Sequence, residues 1–196
     1  MCNRTEIGRG ERKDMGKKRH HHGGRSSESI LDKTIILGAL NIRAGERVLD
    51  AGCGNGYMAK EFAKRAGATG KIYALDPDAG AISTLQKETA KSTIEAFVGD
   101  ITRETKLAAA SIDLMYVSTV VHGFSGEDMA GFVTEAKRVL KPGGRLAIVE
   151  IKKEETPFGP PLHIRLSPEE LIAAIGLKNT TQVNIGPYFY LQLFEK

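Results

Sequence analysis

The chain predicts a single α/β domain built on a doubly wound, mostly parallel sheet. Three observations carry that expectation. Short apolar runs and amphipathic helical stretches alternate from residue 47 to residue 151, as they do in successive βαβ units. The connections between them are short. Right-handed crossovers then wind the sheet outward both ways from the first strand, in the order 3-2-1-4-5. Beyond residue 151 the alternation stops, and two strand-like runs, 178–185 and 188–194, are joined by Gly186-Pro187. Strands joined by so tight a turn are antiparallel.

Length and composition suit one soluble domain. The 196 residues are 41% hydrophobic and 27% charged, enough for a proper core. No apolar run approaches the roughly 20 residues that span a bilayer, and the N-terminus carries no apolar signal region. The two cysteines, Cys2 and Cys53, do not make a disulfide framework, so a reducing cytoplasm is the expected setting. Residues 1–25 hold eight Lys/Arg against three acids, leaving 20 basic and 21 acidic residues in the rest. The net charge of +4 therefore belongs to this segment, while the body is close to neutral.

The elements follow in order. Residues 1–25 are expected to be a basic flexible tail, with a lid over the crevice as the alternative, and 26–196 the domain. His20-His21-His22 lies in that tail; three adjacent side chains without a partner at ligand spacing do not make a metal site, so no metal is expected. A first helix should start at a cap on Ser27 or Ser29 and present Ile30, Leu31, Ile35, Leu37 and Leu40. Strand one, Arg47-Val48-Leu49, ends in Asp50. Then come helix 57–66, strand 71–75, helix 78–90, strand 94–98, a weakly periodic helix 103–109, strand 112–117, helix 126–140 and strand 144–151. Ser167-Pro168-Glu169-Glu170 reads as a capping box for a short helix, 168–175, ahead of the final hairpin.

The segment that carries most chemistry is Asp50-Ala51-Gly52-Cys53-Gly54-Asn55-Gly56. A glycine turn between strand and helix lets backbone approach a ligand closely, and the amides of the helix start favour negative charge. The dinucleotide fingerprint is G-x-G-x-x-G. Here the third glycine comes one residue early, and Asp50 would repel a pyrophosphate. The acid suits a ligand with an ammonium group. The segment resembles the first motif of the class I methyltransferases that use S-adenosylmethionine. Four further features fit the resemblance: Asp76-Pro77 after strand two, Gly99-Asp100-Ile101 after strand three, strand four with Ser118 at its end, and Leu140-Lys141-Pro142-Gly143-Gly144 leading into strand five.

The resemblance is strong over residues 30–151 and looser over 152–196, and within the class it points to the group typified by the ubiquinone/menaquinone-biosynthesis enzymes. It implies a Rossmann-like domain of seven strands, order 3-2-1-4-5-7-6 with strand 7 antiparallel. It implies S-adenosylmethionine as cofactor, held by Asp50, Gly52, Gly54, Gly56, Asp76, Pro77, Asp100, Ile101 and Ser118. Asp76 would meet the ribose hydroxyls, Asp100 the adenine amino group, and Ile101 the adenine ring.

Methyl transfer is mainly alignment, with a general base where the acceptor must lose a proton. His122 follows strand four and is the first candidate; a structural histidine is the competing reading. Glu150 ends strand five, with an ion pair to Lys152 or Lys153 as its competing role. His163, Arg165, Phe158, Tyr188 and Tyr190 are candidate pocket residues. The short stretch after strand five argues for a small-molecule acceptor. An RNA or protein acceptor gripped by the basic tail is the alternative, against which the Asn/Asp-Pro-Pro-Tyr/Phe motif is absent near strand four, where Ser118-Thr119-Val120-Val121 stands. A non-catalytic module that binds S-adenosylmethionine is the third reading.

Overall fold

A computed structural model describes residues 31–196. The tail 1–25, its histidines and the caps Ser27 and Ser29 lie outside the described residues. Seven strands form one sheet in the order β3-β2-β1-β4-β5-β7-β6. They are β1 (Arg47–Ala51), β2 (Lys71–Asp76), β3 (Ile94–Val98), β4 (Ile112–Ser118), β5 (Leu140–Ile151), β6 (Lys178–Ile185) and β7 (Phe189–Glu195). The β1–β2, β1–β4, β2–β3 and β4–β5 pairs are parallel, and β7 is antiparallel to both its neighbours. The expected topology is present in full.

Two apolar layers cover the faces. Helices α1 (Lys33–Leu40), α2 (Tyr57–Ala66) and α3 (Ala79–Glu88) bury Ile36, Leu40, Phe62, Ile82 and Leu85 against Val48, Ile72, Leu114 and Tyr116. Helices α4 (Gly126–Val139) and α5 (Pro168–Ile175) bury Phe132, Val139, Leu171 and Ile175 against Leu49, Met115, Ile148 and Phe194 on the other face. Alternate residues of one strand thus reach different layers. The serine capping box of α5 forms as expected, with Ser167 and Glu170 bonding reciprocally to each other's backbone amides.

Three expectations are corrected. Helix α1 starts at Lys33, and its cap is Asp32, whose carboxylate accepts the N–H groups of Thr34 (2.9 Å) and Ile35 (3.2 Å). Its buried face is accordingly Ile36, Leu37 and Leu40, with Ile35 exposed. The helix expected over 103–109 does not form. Glu135, buried on α4, instead accepts the backbone N–H (2.9 Å) and hydroxyl (2.7 Å) of Thr105, and Arg138 donates to the Thr105 carbonyl (3.2 Å). A buried carboxylate that needs donors outweighs a weak helical preference. Finally, β5 begins at Leu140, directly after α4, with an irregular register between Ile112 and Leu114 that absorbs residues 141–144.

Gly131 sets how closely α4 approaches the loop after β3. A Cβ at this position would lie 2.1 Å from the Thr102 carbonyl oxygen. Gly131→Ala is therefore expected to destabilise by about 1–3 kcal/mol through overpacking, despite the gain of up to ~1 kcal/mol that alanine brings to a helix interior. Urea unfolding checks it; a more stable variant would show that the loop yields freely.

Candidate active site

The carboxyl ends of β1, β2, β4 and β5 converge on one edge of the sheet, and the loops there carry the candidate residues. The turn after β1 is tied to β2: the Gly52 and Cys53 amides donate to the Leu75 carbonyl (2.7 and 3.0 Å), and the Gly54 amide to Asp76 Oδ2 (2.8 Å). Gly54 and Gly56 have φ of 51° and 76°, in the left-handed region where glycine is unstrained. Their surroundings differ. A Cβ on Gly56 would lie 2.4 Å from Leu85, whereas one on Gly54 would meet nothing within 4 Å. Gly56 thus serves the packing of α3, and Gly54 offers bare backbone to open space. Gly52 faces Val120 of the loop after β4.

Asp50 lies beneath this turn and is 3% exposed. Its carboxyl group accepts the Ala59 N–H from the first turn of α2. One of its oxygens, Oδ2, is buried and has no hydrogen-bond partner of good geometry among the described residues. Directly opposite on β4 stands Tyr116, whose buried hydroxyl interacts with that of Ser118 two residues on; neither makes a hydrogen bond of good geometry among the described residues. Burial pushes the Asp50 carboxyl up to about 7, and the like charge of Asp76 adds to the effect. The Tyr57 amide is occupied by Asn55 Oδ1 (3.0 Å). Two amides at the start of α2 are therefore used by the protein's own side chains, which narrows the expectation that this helix end is open to a ligand. Burial also pushes the Cys53 thiol up, well beyond its ordinary range, so Cys53 packs as a small neutral side chain.

Asp76, at the end of β2, is half-buried and accepts the Gly54 amide on Oδ2 and the Asp78 amide on Oδ1 (2.9 Å). A carboxylate has about four lone-pair positions, so two acceptor positions stay available for hydroxyl donors. Pro77 is exposed between it and the Asp78 cap of α3. Asp100 Oδ1 accepts the backbone N–H (3.0 Å) and hydroxyl (2.7 Å) of Thr102. Ile101 is buried among Leu75, Phe97 and Leu107. A groove of about 490 Å³ also opens between the glycine turn and α3, lined by Asn55, Tyr57, Asp78 and Gly80 among others.

The end of β4 is strained. Thr119 has φ of 55°, rare for a β-branched residue and costing roughly 1–3 kcal/mol. The turn is held from β5: Thr119 N–H donates to the Val149 carbonyl (2.8 Å), while Glu150 Oε1 accepts the amides of Val121 (2.9 Å) and His122 (3.3 Å). Glu150 Oε2 lies 2.8 Å from His122 Nδ1. The ion pair expected between Glu150 and its neighbouring lysines is absent; Lys152 donates to the Pro187 carbonyl (2.9 Å) and Lys153 pairs with Glu170 (2.5 Å). The alternation of β5 explains this, because Glu150 points to the α4 face, where the 121–123 turn sits. His122 Nε2 makes no hydrogen bond among the described residues, and the side chain is 9% exposed.

Beyond β5, Arg165 organises the loop. It is 5% exposed, and its guanidinium donates to the carbonyls of Pro160 (2.8 Å), Lys152 (3.2 Å), Glu154 (2.7 Å) and Phe158 (3.2 Å). Phe158 meets Tyr188 edge-on at 5.2 Å and Phe189 at 6.1 Å. Tyr190 donates to the Leu166 carbonyl (2.9 Å) and is buried, so it supports the wall from behind. His163 is exposed.

With this geometry in place, comparison with known proteins is decisive. A family model described as "Methyltransferase domain" matches residues 49–148, about half of the chain. The chain belongs to that family. Among curated relatives, an S-adenosyl-L-methionine-dependent Diels-Alderase of Talaromyces variabilis is 30% identical over 82% of this chain and 55% of its own length. A ubiquinone/menaquinone biosynthesis C-methyltransferase of Bordetella avium is 29% identical over 65% of this chain and 50% of its own. The chain spans about half the length of these relatives or somewhat more. A crystal structure of a SAM dependent methyltransferase from Aquifex aeolicus superposes with a TM-score of 0.78 at 26% identity, covering 88% of this chain and 93% of that one.

S-adenosylmethionine fits the residues present in this methyltransferase domain. The unpartnered Asp50 oxygen calls for a cationic donor, Asp76 has free acceptor positions, and Gly54 leaves room for a close approach. Sequence reasoning missed Tyr116 and Thr119 as neighbours of the candidate site; it named Arg165 as a candidate pocket residue but not its clamp on four carbonyls. The partnership of Asp50 with Tyr116 had a signal, since a register-paired residue on the neighbouring strand shares its face.

The raised Asp50 carboxyl makes stability depend on pH. A carboxyl that titrates higher in the folded than in the unfolded chain destabilises progressively as pH rises from about 4 to about 7, then no further. Asp50→Asn removes that dependence and keeps an acceptor for Ala59 N–H. Between pH 5 and pH 7 the stability of the variant relative to the parent is expected to improve by about 2 kcal/mol, from one proton over two pH units. Thermal melts across this range check it, and a constant difference would show Asp50 ionised throughout.

Proposed function

We propose that the protein transfers a methyl group from S-adenosylmethionine to a small-molecule acceptor. The observation that carries this reading is the buried, unpartnered oxygen of Asp50 beneath the glycine turn: it asks for a ligand with a positive charge at this point and rejects a pyrophosphate. When bound, S-adenosylmethionine supplies a methyl group activated on a sulfonium. In this reading Asp50 and Ser118 bind its amino-acid end, and Gly52, Gly54 and Gly56 keep the backbone close. Asp76 accepts from the ribose hydroxyls beside Pro77, while Asp100 and Ile101 border the adenine.

His122 is the base in this proposal, with Glu150 as its positioning residue. Bonding of Nδ1–H to Glu150 leaves the lone pair on Nε2, the nitrogen without a partner among the described residues. Buried Glu150 also stabilises the imidazolium once the acceptor proton has moved to Nε2. The loop clamped by Arg165, with Phe158 and Tyr188, forms the acceptor wall. It is short, which favours a small acceptor over RNA or protein.

Incubation with methyl-labelled S-adenosylmethionine and metabolite extracts, read by mass spectrometry, tests the function. The expected outcome is a labelled small molecule with S-adenosylhomocysteine as co-product. Label in RNA or protein would favour the alternative acceptors; binding without any turnover would favour a module that uses the cofactor without transferring its methyl.

Two substitutions separate the roles. Asp76→Ala is expected to weaken cofactor binding by about 1.5–3 kcal/mol, measured by calorimetry. His122→Ala is expected to leave that affinity nearly unchanged and to lower the transfer rate about 10²-fold or more. An unchanged rate would make His122 structural and leave catalysis to alignment.

A further inference from the structure

Among the described residues, four buried side-chain polar atoms lack a hydrogen bond of good geometry, and three of them lie together: Asp50 Oδ2, and the hydroxyls of Tyr116 and Ser118, which interact with each other. Asp50 and Tyr116 are register partners on β1 and β4, and Ser118 follows on the same face of β4. Buried polar groups are almost always satisfied by protein, water or ion, so an unpartnered carboxylate oxygen beside two hydroxyls that have only each other marks a cluster completed by a further change. Among the described residues no cation acts on Asp50. From α2 it receives one N–H, that of Ala59; the end of β2 contributes the like charge of Asp76; the titratable neighbours from the glycine turn and from β4 are the neutral Cys53 and Tyr116. An ionised carboxylate here would be an unpaired charge out of water, which proteins avoid by neutralising the group.

We propose that Asp50 carries a proton in the ligand-free protein and releases it to solvent when a ligand with an ammonium group enters the crevice. The inference rests on the ligand reading given above. In the free protein, protonation removes the unpaired charge and turns the orphan oxygen into a donor facing a cluster that holds two hydroxyl acceptors. On binding, the ligand's –NH₃⁺ brings three donors and a charge of opposite sign, so the carboxylate becomes the favoured form. One O–H bond is broken at Asp50, the proton passes to buffer, and no electrons are transferred. Binding of the ligand is thereby coupled to pH by linkage, at a group that takes no part in moving the methyl.

The probe is S-adenosylhomocysteine, which has the ammonium group and no methyl to transfer. Calorimetry is run at pH 7 in phosphate and in Tris, two buffers of different ionisation heat. The expected result is a buffer-dependent heat equivalent to the release of about half a proton, because the free carboxyl is raised to about 7. Affinity should fall about tenfold per pH unit below 7. Adenosine, which lacks the ammonium group, should bind with buffer-independent heat. Asp50→Asn should bind S-adenosylhomocysteine more weakly at pH 7.5, with neither pH nor buffer dependence. Tight binding of S-adenosylhomocysteine with the same heat in both buffers and flat affinity from pH 5.5 to 7.5 would overturn the proposal and leave the ligand reading standing. Proton release that persists in Asp50→Asn would assign it to another group and also overturn it. No heat with S-adenosylhomocysteine at any pH would remove the ligand reading and this inference with it. The parent-protein measurements decide the matter even if the variant fails to fold.

Discussion

The parallel register of β1 between β2 and β4 is the constraint on which the site depends. Three adjacent strands running the same way end on the same edge, so Asp50, Asp76 and Ser118 arrive together although 68 residues separate the first from the last. The parallel pairing of β4 with β5 extends the edge to Glu150. None of these residues needs its own local structure to find the others. The two-sided burial of a parallel sheet supplies the rigidity, and the loops add the chemistry.

Three buried acids on this scaffold show how differently one residue type is used. Glu135 is saturated by Thr105 and Arg138 and organises a loop. Glu150 is saturated by two amides and an imidazole, and it holds a strained turn in place beside the crevice. Of the three, Asp50 keeps an oxygen without a hydrogen bond of good geometry among the described residues. Burial is common to all three, and what distinguishes them is the supply of donors. The first two are complete within the protein and contribute to its rigidity. The third has an oxygen left over, which is what makes it the candidate for binding a ligand in the proposal above.

Most of the architecture was legible because it depends on periodicity and punctuation. The boundaries of α2 and α5 followed from apolar spacing and, for α5, from the Ser167–Glu170 capping box, and the final hairpin was signalled by Gly186-Pro187. The helix expected over 103–109 was misread because its donors are claimed by Glu135, a residue some 30 positions away that no local pattern reveals. The cap of α1 was placed too early for a simpler reason: Asp32 is as good a cap as serine and sits nearer the apolar face. Among the candidate site residues, Asp50, Asp76 and Ser118 stand out by position. The Glu150–His122 contact did not, since the nearby Lys152 and Lys153 offered a plausible local pairing. Only the alternation of β5 together with the turn after β4 brings Glu150 to the histidine instead. Arg165 was legible as a candidate pocket residue in a proline-rich loop, but its four carbonyl partners are a property of the folded loop.

Placing β7 between β5 and β6 has a consequence at the margin of the sheet. It makes β6 the outermost strand on that side, and its exposed run Lys178-Asn179-Thr180-Thr181-Gln182 offers no apolar side chain. On the opposite margin β3 is only five residues long, and its Glu95 is bridged by Lys71 and Lys106. A sheet of this kind ends in unpaired backbone groups that invite a foreign strand. Here one border is polar and the other short and charged, two ways in which natural proteins discourage edge-to-edge pairing.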